Sequence, residues 1–332
     1  MMATQIILAS RPKGLPTKEN FKTETITNPE IKDGEVLIKG LFYSVDPYMR
    51  GRMNDAKSYV PPFQVGAPIE GSVIGEIKES KSDDFKKGDI VKGNLPWATE
   101  TVVASKAIKK IDTNLAPASY YLGILGMPGL TAYFGITDIG KPKPGETIVI
   151  SGAAGAVGIV AGQIAKLKGC KVVGIAGSDD KIKMLKEEVN FDEVINYKTT
   201  PNINEAIIKA CPNGVDIYFD NVGGEISDAV ISNINFHARI ILCGQILLYN
   251  ATEIPVGPRL QPMLLTRSVL MQGFIVSNYQ KNFSEGIQHL SQWVKEGKLK
   301  NEETIIDGFD KLPEALLGLF SGGNKGKMVV KA

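Results

Sequence analysis

Three glycines, Gly152, Gly155 and Gly158, stand three residues apart in the stretch SGAAGAVGIV. The apolar run GETIVI before them predicts a strand, and the run AGQIAKLKG after them predicts a helix. Between a strand and a helix, glycines at this spacing form a tight turn that lets the backbone approach a pyrophosphate. The free N–H groups and the positive dipole end of the helix then face the phosphates. The pattern predicts a dinucleotide loop or, as the alternative, a turn that only packs helix on sheet.

The end of the second predicted strand bears on which dinucleotide would bind. A site that prefers NAD usually has an acidic residue there, which holds the ribose 2′-hydroxyl. The strand KVVGIA instead runs into Gly177 and Ser178, and Ser178 and Lys181 could meet a 2′-phosphate. Asp179 and Asp180 argue against a phosphate unless they cap the next helix, and Lys181 could also be a solvated helix residue. On balance, the sequence favours NADPH over NADH.

The segments around these residues alternate between strand-like and helix-like patterns from residue 124 to residue 284. Strands are predicted for the runs TIVIS, KVVGIA, DEVIN, VDIYFD and ARIILCG, and helices for residues 156–168, 179–187, 202–210 and 224–232. Such alternation is typical of βαβ units on a parallel sheet. The strands are almost entirely apolar, as expected where helices cover both faces of the sheet. We therefore predict an α/β domain here.

The flanking segments show other patterns. Up to residue 123, the short apolar runs GEVLIKGLFYSV, GSVIGEI, GDIVKG and ETVVAS predict a β-rich, partly barrel-like domain. From residue 285 to residue 332, the sequence predicts a helix, a strand, a second helix and a final strand, MVVKA. Periodicity alone does not assign this last segment to either domain. A chain of 332 residues is too long for one hydrophobic core and suits two domains.

The overall composition argues against several classes of protein. The net charge is +2, so no large basic surface for a nucleic acid is expected. Apolar residues make up 43% and charged residues 22% of the chain, which is ordinary for a soluble globular protein. We find no apolar stretch long enough for a membrane span or a signal peptide. Cys170, Cys211 and Cys243 form neither a CxxC pair nor a disulfide framework, which favours a reducing, cytoplasmic setting.

Motifs spread over nearly the whole chain give it a family resemblance. The segments are SVDPYMRGRMN, GMPGLTAYFGI, SGAAGAVG, QIAKLKGCKVVGIAGSDDK, INYK, VDIYFDNVGG, ILCGQI, QWVKEGKLK and GGNKGK. Together they resemble the zinc-independent branch of the medium-chain dehydrogenase/reductase superfamily. That branch contains prostaglandin reductases (leukotriene B4 12-hydroxydehydrogenases), alkenal/one oxidoreductases and curcumin reductases. Prostaglandin reductase 2-like members are the nearest match.

The resemblance implies a domain organisation. A GroES-like, β-rich catalytic domain is expected over residues 1–123, with residues 285–332 returning to it. A Rossmann NADP-binding domain, with a doubly wound parallel sheet, is expected over residues 124–284. The active site would lie in the cleft between the domains. Members of the family are commonly homodimers, and their partners are small-molecule substrates rather than nucleic acids or membranes.

The resemblance also implies which residues contact the cofactor. The expected cofactor residues are Gly152, Gly155, Ala156, Val157, Gly158, Ser178, Lys181, Tyr197, Asn221, Cys243, Gly244, Gln245, Ile246, Tyr249, Phe274, Ile275, Val276 and Asn324. The loop from Cys243 to Tyr249 would pass the nicotinamide, since ligands of such sheets bind at the carboxyl edge. Taken alone, Cys243 would be a small buried hydrophobe, and Tyr197 and Phe274 would be packing aromatics.

Zinc-dependent members of the superfamily hold a catalytic metal with Cys and His ligands. They carry a GHE motif near the start, and the matching stretch here is GAPIEG, which lacks the histidine. The two histidines, His237 and His289, have no Cys or His partner at ligand spacing. We expect both to be surface or packing residues, and we expect neither a bound metal nor zinc-assisted alcohol oxidation.

Hydride transfer without a metal suits α,β-unsaturated ketones and aldehydes, the substrates that the resemblance implies. When hydride adds to the β-carbon, negative charge grows on the carbonyl oxygen, and a hydrogen-bond donor can stabilise it. Tyr249 is the first candidate donor, from its match to a substrate-facing tyrosine of the family. Tyr59, in a Pro-rich loop, is the second, although it could also be an exposed loop aromatic.

Four residues are the candidates for substrate binding: Tyr48, Asn94, Leu95 and Trp97. Tyr48, in the motif DPYMR, is also a third candidate donor. Two alternatives to the enone reductase stay open on sequence alone. One is a quinone or carbonyl reductase on the same scaffold, and the other is a non-enzymatic NADPH-binding protein.

Overall fold

The structure, a computed structural model, describes residues 2–332. The chain folds into two compact units. The first unit comprises the residues up to Leu122 together with Glu303–Ala332, and the second comprises Gly123–Glu302. Within residues 2–332, no helix combines the length and the apolar character needed to cross a membrane.

The elements are numbered in chain order. The strands are β1 Met2–Leu8, β2 Phe21–Thr27, β3 Glu35–Ser44, β4 Glu70–Ser80, β5 Ile90–Pro96, β6 Glu100–Ala104, β7 Ile108–Lys110, β8 Thr147–Ser151, β9 Lys171–Ala176, β10 Glu193–Asn196, β11 Val215–Asp220, β12 Ile234–Leu242, β13 Leu270–Gly273, β14 Glu303–Asp307 and β15 Lys327–Lys331. The α-helices are α1 Tyr48–Arg52, α2 Met127–Phe134, α3 Ala156–Leu167, α4 Asp179–Glu187, α5 Ile203–Ala210, α6 Gly224–Ser232, α7 Gln261–Thr266, α8 Phe283–Lys295 and α9 Leu312–Ser321.

The first unit is built on a mixed β-sheet. Its strands follow the order β14-β15-β3-β4-β5-β7, with β6 paired to β3, while β1 and β2 form an antiparallel pair. Strand β15 pairs antiparallel with β3, which joins the C-terminal segment to the N-terminal one. Buried Lys327 supports this joint, because its ammonium donates to the carbonyl of Val45 at 2.7 Å and lies 3.2 Å from the carboxylate of Asp46.

The second unit contains a parallel sheet with the order β10-β9-β8-β11-β12-β13. Every residue of β8 is buried, as the unbroken apolar run predicts for a strand covered on both faces. From β8 the chain moves to β9 on one side, and it later returns to β11 on the other. A topological switch point therefore lies between β8 and β11, where ligands of such sheets bind.

Helix α8 belongs to the second unit, which corrects the expected domain boundary at residue 285. The ring of His289 stacks on Tyr133 of α2 with the centroids 5.6 Å apart, and Trp293 lies 6.1 Å from the same tyrosine. These aromatic contacts hold α8 on α2. The chain therefore returns to the first unit only at Glu303.

Candidate active site

The turn between β8 and α3 is built around its three glycines. Gly152 has a φ of +59°, a left-handed conformation that favours glycine. A Cβ on Gly158 would stand 2.4 Å from the carbonyl oxygen of Gly152 and 2.8 Å from Cα of Ala153, so only glycine lets the helix start this close to the turn. The first N–H groups of α3 have no acceptor within the helix. The turn therefore offers donors and a positive dipole end to an anion.

Two lysines and a tyrosine gather at the carboxyl end of β9. Lys181 lies in α4 just after Ser178, which is the N-cap residue. Tyr197 follows β10, and its ring covers Gly177, where a Cβ would stand 2.6 Å from Cε1. Burial, together with the nearby positive charge of Lys198, lowers the pKa of Lys181. Two ammonium groups close enough to interact favour an anion with more than one negative charge, such as a phosphate monoester.

The two aspartates after Ser178 have local roles in α4. Asp179 and Asp180 lie in the first turn of the helix, where the dipole favours negative charge. The Oδ1 atom of Asp179 also accepts a 2.8 Å hydrogen bond from the side chain of Asn196. These carboxylates therefore stabilise the start of the helix. Their presence is explained by this role and argues less strongly against a 2′-phosphate site.

A cavity of about 390 Å³ opens at the carboxyl ends of β12 and β13. Its volume lies in the range of small-molecule sites. Two segments line it, one following each strand. The lining residues are Leu242, Cys243, Gly244, Gln245, Tyr249, Gly273, Phe274, Ile275 and Asn278. The structure thus brings most of the predicted residues of the two segments to one place, with Ile246 and Val276 as their chain neighbours.

Tyr249 lines this cavity with a phenol that keeps its proton. Burial raises the pKa of Tyr249 above its ordinary value, so the hydroxyl is neutral at physiological pH. The hydroxyl oxygen accepts a 3.3 Å hydrogen bond from the main-chain N–H of Gln245. Burial also raises the pKa of Cys243 to about 12, so this thiol is protonated and forms an apolar part of the wall. The cavity therefore combines apolar walls with one hydroxyl donor.

Tyr48 and Tyr59 lie close together in the first unit. The pKa of Tyr48 is raised by burial and next by the charge of Asp46, and Tyr59 is near enough to contribute. Arg52 joins the helix that begins at Tyr48 to the loop that carries Tyr59, because its Nε donates to the carbonyl of Pro61 at 3.0 Å. Tyr59 itself is 60% exposed. Two of the three candidate donors thus share one region of the first unit.

The other candidates of the first unit have different surroundings. Leu95 and Trp97 are 2% and 0% exposed and pack in the hydrophobic core of the first unit, and their contact with a substrate stays a prediction. Asn94 is exposed on β5. Asn324 donates from its side chain to the carbonyl of Gly326 at 2.7 Å, within the turn before β15.

Comparison with known proteins places these features in a family. A model for the N-terminal domain of oxidoreductases matches residues 4–111, and a model for zinc-binding dehydrogenases matches residues 156–292. YfmJ of Bacillus subtilis is 60% identical over 98% of this chain and 97% of its own length. The NADPH-dependent curcumin reductase of Escherichia coli is 42% identical over 98% and 95%. Prostaglandin reductase 1 of Mus musculus is 44% identical over 96% of each chain. The chain belongs to the zinc-independent branch of the medium-chain dehydrogenase/reductase family.

A solved structure of another member of this medium-chain family supports the fold. CurA from Vibrio vulnificus in complex with NADPH has a TM-score of 0.93, with 42% identity over 99% of both chains. The predicted family and the predicted fold class, a β-rich domain with a Rossmann-type parallel-sheet domain, are confirmed. A nearer likeness to prostaglandin reductase 2-like proteins stays a prediction.

The two histidines of this medium-chain reductase lie in the kinds of environment that the sequence predicts. His289 packs on Tyr133, and His237 is exposed, so both have the expected packing or surface role. Within the part of the chain that the structure describes, no three His, Cys, Asp or Glu side chains are grouped so that they could hold a metal ion.

Two residues of this site were not predicted from the sequence. Lys198 comes directly after Tyr197 in NYK, and its basic character was the only signal. Asp220 is a fully buried acid at the end of the apolar strand VDIYFD, and that contrast was available as a signal. Its neighbour Asn221 donates from Nδ2 to the carbonyl of Ser151 at 2.8 Å, so this predicted cofactor residue also ties β11 to β8.

Proposed function

We propose that this protein is an NADPH-dependent reductase of the carbon–carbon double bond of α,β-unsaturated ketones and aldehydes. The observation that carries the proposal is the neutral Tyr249 hydroxyl in an apolar cavity on the sheet edge that also bears the glycine turn. The names of the relatives support the reaction class, since they include an NADPH-dependent curcumin reductase and prostaglandin reductase 1.

The residues present fit a dinucleotide with a 2′-phosphate. The lack of a Cβ at Gly158 lets α3 start directly against the turn, and α3 then offers its first N–H groups to the pyrophosphate. Lys181 and Lys198 supply the charge that a 2′-phosphate requires. The cavity beside Tyr249 would hold the nicotinamide end together with the reacting part of the substrate.

The chemistry of the reduction divides between cofactor and chain. When bound, NADPH supplies the hydride that the β-carbon of the substrate receives. The Tyr249 hydroxyl donates a hydrogen bond to the carbonyl oxygen, where enolate charge develops. Phe274 and Ile275 line the same cavity with apolar surface. Water then protonates the α-carbon, so the product is the saturated ketone or aldehyde.

The first test is NADPH oxidation with 3-nonen-2-one, followed at 340 nm with product analysis and with a metal chelator present throughout. We expect the saturated ketone. An allylic alcohol would instead indicate a carbonyl reductase. No turnover, with NADPH binding intact, would contradict the proposal and favour quinones as substrates or a binding role.

We also propose that the protein is a cytoplasmic homodimer. Strand β13 stands at the end of the sheet order in the second unit, where an edge can pair with another chain. Exposed apolar side chains lie near this edge, with Leu265 80% exposed and Leu270 46% exposed. The free thiols of Cys170 and Cys211 suit a reducing compartment. Light scattering coupled to size exclusion would give the mass, and a monomer at micromolar concentration would contradict the dimer.

A further inference from the structure

Asp220, the last residue of β11, has a fully buried carboxylate whose Oδ1 atom accepts four hydrogen bonds. The hydroxyls of Ser151 and Tyr218 donate to it at 2.9 and 2.8 Å. The main-chain N–H groups of Val222 and Gly223 each donate at 3.0 Å. This oxygen therefore binds the end of β8, its own strand and the chain segment that leads into α6.

The second oxygen, Oδ2, extends the same network to the cavity. It accepts from the hydroxyl of Ser227 in α6 and from the side-chain amide of Gln245, both at 2.9 Å. The Gln245 side chain reaches it by crossing Gly223, where a Cβ would stand 2.1 Å from the Gln245 amide oxygen. A glycine with a φ of +77° at this position thus leaves the path open for Gln245.

Main-chain hydrogen bonds hold the rest of the loop of residues 243–249, the cavity loop, to the same strand end. The loop donates four N–H groups to three consecutive carbonyls, beginning with the last residue of β11. These bonds run from Cys243 and Gly244 to Asp220 at 2.9 and 3.0 Å, from Ile246 to Asn221 at 3.2 Å and from Leu247 to Val222 at 3.1 Å. The loop therefore reaches Tyr249 with its course set by residues 220–222.

The glycine turn is anchored to the same residues from the other side. The N–H of Asn221 donates to the Ser151 hydroxyl at 2.9 Å, and that hydroxyl donates onward to Asp220. Gly152, the first residue of the turn, packs against Asn221, since a Cβ on it would lie 3.3 Å from the Asn221 Cβ. One carboxylate thus has the phosphate turn on one side and the cavity loop on the other.

We propose that Asp220 is a positioning residue, which fixes the distance and orientation between the glycine turn and the Tyr249 hydroxyl. The inference rests on the proposed function, in which the turn holds the pyrophosphate and Tyr249 faces the substrate carbonyl. The hydrogen bond from the Gln245 side-chain amide to Asp220 transmits this positioning to the cavity loop. In this assignment the Gln245 side chain acts through Asp220 rather than through a contact with the cofactor.

The test removes the hydrogen bond between the Gln245 side chain and Asp220 and keeps the Asp220 carboxylate. Gln245→Leu should raise hydrogen exchange at the amides of residues 244–249 about tenfold in the protein without cofactor, because the loop loses its anchor. The kcat for 3-nonen-2-one should fall about tenfold, and in a Tyr249→Phe background the same change should cost little more, since both act on one hydroxyl. The Kd for NADPH should change by less than about threefold.

Asp216→Asn is the matched control. Asp216 lies on the same strand as Asp220, at its amino end. The Asp216 carboxylate accepts from the N–H of Thr147 and from the side chain of Asn235, both at 2.8 Å. This substitution should lower the melting temperature and leave loop exchange and kcat unchanged. Asp220→Asn should raise exchange both at residues 244–249 and at residues 152–158. If it does not fold, Gln245→Leu decides alone.

Any of three results would overturn the assignment. One is unchanged exchange at residues 244–249 in Gln245→Leu, and a second is a loss of kcat that adds fully to that of Tyr249→Phe. A larger effect on NADPH affinity than on kcat would equally reject it, because the Gln245 side chain would then contact the cofactor. If the wild-type protein does not reduce the enone, the proposed function fails, whereas the exchange measurement still decides whether Asp220 holds the loop.

Discussion

The hydroxyl oxygen of Tyr249 accepts a hydrogen bond from the main-chain N–H of Gln245, 3.3 Å away, at the wall of the cavity. Because this bond uses a lone pair of the phenol oxygen, the hydroxyl proton is left to point elsewhere. The donor direction of the phenol is therefore partly fixed before any substrate binds, which is the preorganisation that stabilises a developing oxyanion.

Replacing Tyr249 with Phe removes this donor and little else. We expect kcat for enone reduction to fall about 100-fold, the loss typical of one oxyanion donor. The Kd for NADPH should change little, since the ring stays in place. Stopped-flow or steady-state assays at 340 nm measure the first quantity, and quenching of protein fluorescence measures the second.

Two further tyrosine variants are needed to interpret the loss of kcat in Tyr249→Phe. Tyr279→Phe is the control, because its ring stacks on Phe134 at 4.5 Å and loses only a hydroxyl outside the proposed reaction. Tyr59→Phe tests the second candidate donor. A larger loss of kcat in Tyr59→Phe than in Tyr249→Phe would move the donor role to the first unit.

Cofactor choice should depend on Lys181. Replacing it with Ala removes a charged hydrogen bond to a 2′-phosphate, which is worth roughly 1.5–3 kcal/mol, so the KM for NADPH should rise at least about tenfold. The KM for NADH, which lacks that phosphate, should stay nearly constant. Lys183→Ala is the control on the same helix, since Lys183 is 71% exposed and pairs with Glu187 at 3.9 Å. Equal effects on both cofactors would reject the assignment of Lys181.

Local sequence patterns predicted most elements of the second unit. The helix expected over residues 179–187 is α4, with the same bounds, because a polar cap and an amphipathic pattern stand next to each other in the chain. The placement of α8 could not be predicted in this way. It depends on contacts such as Tyr133 with His289, which are distant in sequence and leave no periodic signal.

The site shows the same division between local and distant information. The glycine turn was predictable because its function needs particular residues at adjacent positions. The role of Asp220 was not, since its six donors come from three stretches of chain, at Ser151, residues 218–227 and Gln245, that only the folded sheet edge brings together. Trp97 is a predicted substrate residue whose side chain is buried in the core, and its burial in the folded chain could not be read from the local sequence.

Gly158 should tolerate no side chain. In Gly158→Ala the new Cβ would stand 2.4 Å from the carbonyl oxygen of Gly152, so the turn and the first residues of α3 must separate. We expect a loss of roughly 1–3 kcal/mol in the free energy of unfolding and at least about tenfold weaker NADPH binding. Gly51→Ala in α1, where a Cβ meets open space, is the control and should be at least as stable as the wild type. Unchanged NADPH affinity in a folded Gly158→Ala would contradict the role of the turn.

The pH profile of kcat should be flat from pH 7 to the alkaline limit of the assay. Burial raises the pKa of Tyr249 above its ordinary value of about 10, so the phenol stays protonated over this range and the donor is retained. The sign follows from the direction of the shift: a donor that must be neutral is lost only as pH rises through its raised pKa. The same shift stabilises the folded state below about pH 10 and ceases to do so as pH passes the pKa of the folded protein.

Measurement of kcat at saturating NADPH and enone from pH 7 to pH 10 tests the flat profile, with Tyr249→Phe as the reference. A fall in kcat with a midpoint near pH 8 in the wild type but not in Tyr249→Phe would assign that titration to Tyr249 and contradict its raised pKa, whereas the same fall in both proteins would come from another group.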